Sequence, residues 1–178
     1  MSETHVAAGL YLEGLEQTEA LAWICADLAG AGSSFLLSGG LGAGKSTFAR
    51  AFIRYLVGED EEVPSPTFTL VQQYGPIDKD GREVEIWHAD LYRIGDPDEV
   101  LELGLDEAFE TAICLVEWPE RLGAFAPPEA VALHFEICEG GPAEDGDRLV
   151  ALSLPEHMRP GFADAFAEAG FEVVWTNE

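Results

Sequence analysis

The stretch Gly39-Gly40-Leu41-Gly42-Ala43-Gly44-Lys45-Ser46 satisfies G-x-x-x-x-G-K-[ST] at every fixed position, the pattern of a phosphate-binding loop. The apolar run Phe35-Leu36-Leu37 precedes it, and residues 47–56 carry a helix-compatible pattern. That is the strand–loop–helix setting such a loop needs. Glycines let the backbone curl so that successive amides converge on an anion. The helix that begins there adds the positive end of its dipole. Lys45 supplies a mobile cation for the outer phosphates, and the Ser46 hydroxyl suits Mg²⁺. The stretch predicts a bound nucleotide.

At 178 residues the chain suits one domain, residues 1–178, with a core of its own. Its apolar content argues against disorder, and no apolar run reaches the length of a membrane span. The N-terminus, Met1-Ser2-Glu3-Thr4-His5, is acidic and shows no basic segment leading into an apolar one, so no signal peptide is visible. Cys25, Cys114 and Cys138 are scattered, odd in number and embedded in apolar runs, as buried free thiols of a reducing compartment are. The expected location is the cytoplasm. A formal charge of −25 disfavours a chain that grips RNA or DNA unaided. The acidity reads first as a solubility feature and second as a match for a basic partner. With only two lysines and seven arginines, a bound triphosphate must rely on Mg²⁺ and the few cations near the loop.

Further along, residues 16–30 read as a helix, with Leu21, Ile24, Cys25 and Leu28 at helical spacing and Gly30 and Gly32 as terminators. The loop helix runs from Lys45 to about Val57, and an acidic break follows. Val63-Pro64-Ser65-Pro66-Thr67 is rigid and non-helical because two prolines fix the backbone. Residues 68–74 and 83–90 read as strands of a hairpin joined by a turn-rich link at 75–81. Residues 97–109 are helical in part, opened by Asp96-Pro97. Ala112-Ile113-Cys114-Leu115-Val116 has the continuous apolar character of a central strand buried on both faces. Residues 131–138 and 148–154 suggest two later strands joined by a turn at 140–147, then a helix at 161–169 and a strand at 171–175. Together these elements predict an α/β, three-layer, P-loop NTPase-like fold with a mixed parallel and antiparallel sheet.

Mg²⁺ takes oxygen ligands, usually a hydroxyl, a carboxylate and phosphate oxygens. Two acids compete for the carboxylate role. Glu117 ends the buried strand, and Asp90 ends the less apolar run Val84-Glu85-Ile86-Trp87-His88-Ala89. Ser65 and Thr67 sit where phosphate-loop nucleotidases place a switch hydroxyl. Arg93 can meet phosphate or pair with nearby acids. His88 reads as a structural, hydrogen-bonded histidine before a base or ligand, and Trp118 as either a stacking or a core residue. The only asparagine is Asn177, so an Asn-Lys-x-Asp guanine motif is absent and ATP is favoured over GTP. The later half lacks an Arg-rich lid, which lowers the alternative of a small-molecule kinase; a non-hydrolysing ATP-binding regulator is a third class.

Four segments occur in order: residues 39–47 (G-G-L-G-A-G-K-S-T), Ser65-Pro66-Thr67-Phe68-Thr69-Leu70-Val71, His88-Ala89-Asp90-Leu91-Tyr92-Arg93 and Leu115-Val116-Glu117-Trp118-Pro119-Glu120. With them the chain resembles the bacterial TsaE (YjeE) family, the ATPase component of tRNA threonylcarbamoyladenosine biosynthesis, over about residues 16–140. The resemblance implies nucleotide contacts along Gly39, Gly40, Leu41, Gly42, Ala43, Gly44, Lys45, Ser46 and Thr47. Ser46 is implied as a Mg²⁺ ligand where the family usually has Thr, with a switch segment around Ser65, Thr67 and Thr69. It further implies a catalytic or water-orienting Asp90, a Mg²⁺-associated Glu117, Trp118 beside the nucleotide and Thr18 near the adenine. Gly40 departs from the acid common in the family, and the tail after about residue 155 matches no part of it. Similar proteins hydrolyse ATP slowly alone and act with TsaD- and TsaB-type partners that modify tRNA adenosine 37. The implied contact with tRNA is indirect, in keeping with the charge.

Overall fold

The structure, a computed structural model, describes residues 4–143 and 146–177. In chain order its elements are β1 (His5–Leu12), α1 (Gly14–Leu28), β2 (Ser34–Gly39), α2 (Lys45–Val57), β3 (Val71–Lys79), β4 (Arg82–Asp90), α3 (Glu99–Glu102), α4 (Leu105–Thr111), β5 (Ile113–Glu117), β6 (Val131–Cys138), β7 (Asp147–Pro155), α5 (Arg159–Ala169) and β8 (Val173–Asn177). One sheet contains all eight strands in the order β3-β4-β5-β2-β6-β7-β1-β8. The centre, β4-β5-β2-β6, is parallel, and both flanks are antiparallel. This is the expected mixed-sheet, P-loop NTPase-like α/β fold.

Alternation along β2 sets the layers. Phe35 and Leu37 enter the large core with Leu21 and Cys25 of α1, Phe48, Phe52 and Ile53 of α2, and Phe162 and Phe166 of α5. Leu36, between them, packs on the other face with Val100, Leu105 and Leu122. Successive strand side chains point to opposite faces, so one strand feeds both cores. Every residue of β5 is buried, as its continuous apolar run predicts.

Several details depart from the expectations. His5–Leu12 is a full strand, paired on both sides with β7 and β8. Leu28 is exposed, and the buried stripe of α1 is Thr18, Leu21, Ala22, Cys25 and Ala26, still a helical period. Residues 68–70 form a turn, and Leu70 takes a left-handed φ of 66°. β3 begins at Val71 and continues through Gly75-Pro76 to Lys79, with an irregular register between Tyr74 and Ile77. The hairpin turn is only Asp80-Gly81, held by the Gly81 amide donating to Asp78 Oδ1 at 3.1 Å. Residues 97–109 are helical in part, as expected, in two short helices separated at Gly104, which has a left-handed φ of 76°. Cys25 and Cys114 are buried, but Cys138 is only partly so. Of the turn at 140–147, Glu144 and Asp145 lie outside the described residues, as do Met1-Ser2-Glu3 at the N-terminus. Among the described residues no helix is long and apolar enough to cross a membrane.

Candidate functional site

Gly39, Asp90 and Glu117 stand at the carboxyl ends of β2, β4 and β5, neighbouring strands of the parallel centre. In open α/β sheets ligands bind at this edge. The parallel register pairs Asp90 with Glu117 directly. A cleft opens here, lined by residues 41–47 with Ser65, Thr67, Asp90, Glu117, Trp118 and Arg148.

The loop's shape requires its glycines. Gly39 has φ 132°, and a Cβ there would overlap the Phe135 carbonyl oxygen. Gly42 (φ 74°) and Gly44 (φ 114°) also lie on the positive side. Gly44 caps α2, whose first turn carries no acidic residue. The first amides of α2 lack intrahelical acceptors and point out of its N-terminus, where they suit an anion.

Lys45 is 5% exposed, although an ammonium is costly to bury. Its Nζ donates to the carbonyls of Gly39 at 2.6 Å and Gly40 at 2.8 Å and lies 4.5 Å from the Trp118 ring centroid. Burial lowers its pKa, and the carboxylates of Glu117, Asp90 and Glu120 oppose that shift. Trp118 takes a left-handed φ of 59°, uncommon for a bulky residue, and its ring lies 4.9 Å from that of Tyr92.

Two hydroxyl–carboxylate pairs face the cleft. Ser46 Oγ donates to Glu117 Oε1 at 3.0 Å, and Glu117 Oε2 lies 2.8 Å from His88 Nε2. Both His88 and Glu117 are buried. Thr67 Oγ1 donates to Asp90 Oδ2 at 3.2 Å and lies 2.8 Å from Ser65 Oγ. The Tyr92 amide donates to Asp90 Oδ1 at 3.0 Å. Ser46 and Glu117 form a hard-oxygen donor set that fits Mg²⁺, which takes its remaining ligands from phosphate and water. No cluster of three His, Cys, Asp or Glu suited to a metal occurs among the described residues.

The other expected contacts lie elsewhere. Thr18 is buried in α1 and donates to the Gly14 carbonyl at 3.4 Å. Arg93 stacks on the exposed Phe68 ring, 4.4 Å from its centroid. Neither lines the cleft. Arg148, which no motif marks, does line it. Its Nε donates to the Ala43 carbonyl at 2.7 Å and its Nη2 to the Gly42 carbonyl at 3.3 Å. The loop lies about a hundred residues earlier in the chain, so the only sequence signal was a cation among many acids.

Comparison with known proteins gives the family and the fold. The family described as threonylcarbamoyl adenosine biosynthesis protein TsaE matches residues 12–144. A Rickettsia felis protein named tRNA threonylcarbamoyladenosine biosynthesis protein TsaE is 35% identical over 130 residues, 73% of each chain. A Bacillus subtilis protein of the same name is 40% identical over 119 residues, 66% of this chain and 70% of its own. In fold, the chain resembles the crystal structure of Bacillus subtilis YdiB with a TM-score of 0.70 at 24% identity, covering 93% of this chain and 97% of that one.

Proposed function

Because the chain belongs to the TsaE family of threonylcarbamoyladenosine biosynthesis proteins, we propose that it is the Mg²⁺-dependent ATPase of that tRNA modification. We propose that it works in the cytoplasm, as a single ATPase domain over residues 1–178, with TsaD- and TsaB-type transferase partners. The observation that carries this reading is the convergence of a glycine-formed phosphate loop with two hydroxyl–carboxylate pairs at one sheet edge. Hydrolysis is in-line attack of water on the terminal phosphate. The amides of Gly42, Gly44, Lys45 and Ser46 receive the phosphates, while the Ala43 amide closes a turn on the Gly40 carbonyl. Lys45 exchanges the Gly39 and Gly40 carbonyls, which it now holds, for phosphate oxygens. Asp90, fixed by Thr67 and the Tyr92 amide, orients the water and accepts its proton. Ser46 and Glu117, with Asp90 beside them, would hold Mg²⁺; when bound, the ion would neutralise charge on the outer phosphates. Trp118 walls the site beside the nucleotide. With its −25 charge, the chain reaches tRNA only through its partners.

The test is a reconstituted reaction of the purified transferase partners, tRNA, ATP and this protein, with modified adenosine counted per complex. Multiple turnovers are expected with the natural chain and none with Lys45→Ala. Undiminished multiple turnover with Lys45→Ala would refute the reading.

A further inference from the structure

We propose that Arg148 is a positioning residue that sets the phosphate loop in its binding shape, an inference that rests on the ATP-binding reading above. The loop contains two positive-φ glycines around Ala43, and glycine-rich segments lose more conformational freedom on ordering than any other sequence. Something must hold this loop open for an anion. Arg148 does so from β7, on the far side of β6 from the loop strand. Its guanidinium spans two consecutive carbonyls, Nε to Ala43 and Nη2 to Gly42, a planar fork that lysine cannot reproduce. A trans peptide points its C=O and N–H in opposite directions. Pinning the Gly42 and Ala43 carbonyls toward Arg148 therefore turns the Ala43 and Gly44 amides away from it. The Ala43 amide is spent on the Gly40 carbonyl at 3.2 Å, closing the turn.

Arg148 is itself anchored. Its Nη1 donates to the Asp147 carbonyl at 3.1 Å. The Asp147 side chain is fully buried, accepting from the Gly14 amide at 3.2 Å and from the Tyr11 hydroxyl. The start of β7 thus joins the phosphate loop to the start of α1 through side chains fixed at both ends. Arg148 lies beyond residues 12–144, the part matched by the family, so family membership does not assign it.

A residue that shapes the loop acts on every phosphate-bearing ligand, so ATP and ADP should weaken together. Isothermal titration of the full-length protein with Mg·ATP and Mg·ADP tests this, alongside phosphate release at saturating ATP. For Arg148→Ala, the Kd for both nucleotides should rise by about tenfold, the loss of a charge-assisted contact. The saturated rate should change much less. Arg148→Lys keeps the charge without the fork and should remain at least about threefold weaker than the natural chain for both ligands. Three results would overturn the proposal: unchanged affinity in Arg148→Ala, weakening of ATP alone, or natural affinity in Arg148→Lys. Should Arg148→Ala fail to fold, the Lys variant and Arg148→Gln, with one donor group, carry the same test. If the natural chain itself binds neither nucleotide, the ATP reading fails instead, and the two failures are distinguishable.

Discussion

His88→Phe removes a hydrogen-bond donor while keeping a ring of similar size at a buried position of β4. His88 is 1% exposed, and its Nε2 lies 2.8 Å from Glu117 Oε2, so this nitrogen carries the hydrogen that the carboxylate accepts. The substitution leaves Glu117 with Ser46 as its remaining side-chain donor. A hydrogen bond to a charged group contributes about 1.5–3 kcal/mol. His88 Nδ1 is buried and without a partner, so its replacement by carbon returns part of that loss. The net cost is about 1–2 kcal/mol, or roughly 2–8 °C in Tm for a chain of this size. The functional effect is larger in proportion. Groups that orient a metal-binding carboxylate typically change metal affinity by about 10–100-fold, and Glu117 without His88 is free to rotate away from Ser46. The assay is phosphate release at fixed ATP as Mg²⁺ is varied, with thermal melting alongside. The Mg²⁺ concentration for half-maximal rate should rise by that factor, and excess Mg²⁺ should restore most of the rate. A lowered Tm with an unshifted Mg²⁺ midpoint would refute the reasoning, leaving His88 a packing residue only.

Two further outcomes follow from backbone and burial. Gly39→Ala meets both an unfavourable φ and the Phe135 carbonyl, whereas Gly42→Ala meets open space and carries only the left-handed strain, about 1–2 kcal/mol; melting should rank Gly39→Ala as clearly the more destabilised. Burial pushes the Cys114 thiol from its ordinary 9.0 up to about 12 and the Cys25 thiol higher still. A thiol reagent at neutral pH should therefore label Cys138 alone until denaturant is added. Above the ordinary thiol pKa of 9.0, both buried thiols keep their protons in the fold and lose them on unfolding. Their contribution is complete below the ordinary thiol value and is lost as pH rises from about 9 toward 12, so Cys114→Ala should flatten the fall in Tm over that range.

What could be read in the sequence was what local chemistry encodes. The loop's glycines, the acids closing β4 and β5 and the unbroken apolar run of β5 each carry their signal within a few residues. The strand His5–Leu12 was missed because Ala7-Ala8-Gly9 has weak strand character; two neighbours, β7 and β8, impose its conformation. Gly75-Pro76 suggested a turn, yet β3 passes through it because β3 is the sheet's outer strand, where a proline's missing N–H costs no ladder bond. Arg148 and the His88–Glu117 contact depend on strand neighbours distant in the chain. His88 reads as a hydrogen-bonded histidine, and it is one, but its partner is set by strand pairing; nothing in the sequence near Arg148 marks that residue.

Electrostatics ties these parts together. The charged side chains lining the cleft are Lys45, Arg148, Asp90 and Glu117, two cations and two carboxylates that cancel. Arg148 is already committed to loop carbonyls, and Lys45 is partly held by its own. A triphosphate entering this neutral cleft within a chain of charge −25 has one readily released cation to meet it. The backbone amides supply only partial charge. The acids beside Lys45 favour its charged form against burial, but they also repel the phosphates. On the proposed reading, a divalent ion held by Ser46 and Glu117 would offset that repulsion. On that reading ATP binding, and not hydrolysis alone, should depend on Mg²⁺, because the acids that disfavour the bare nucleotide are the ones that would retain the ion; nucleotide titration with Mg²⁺ and with a chelator checks this.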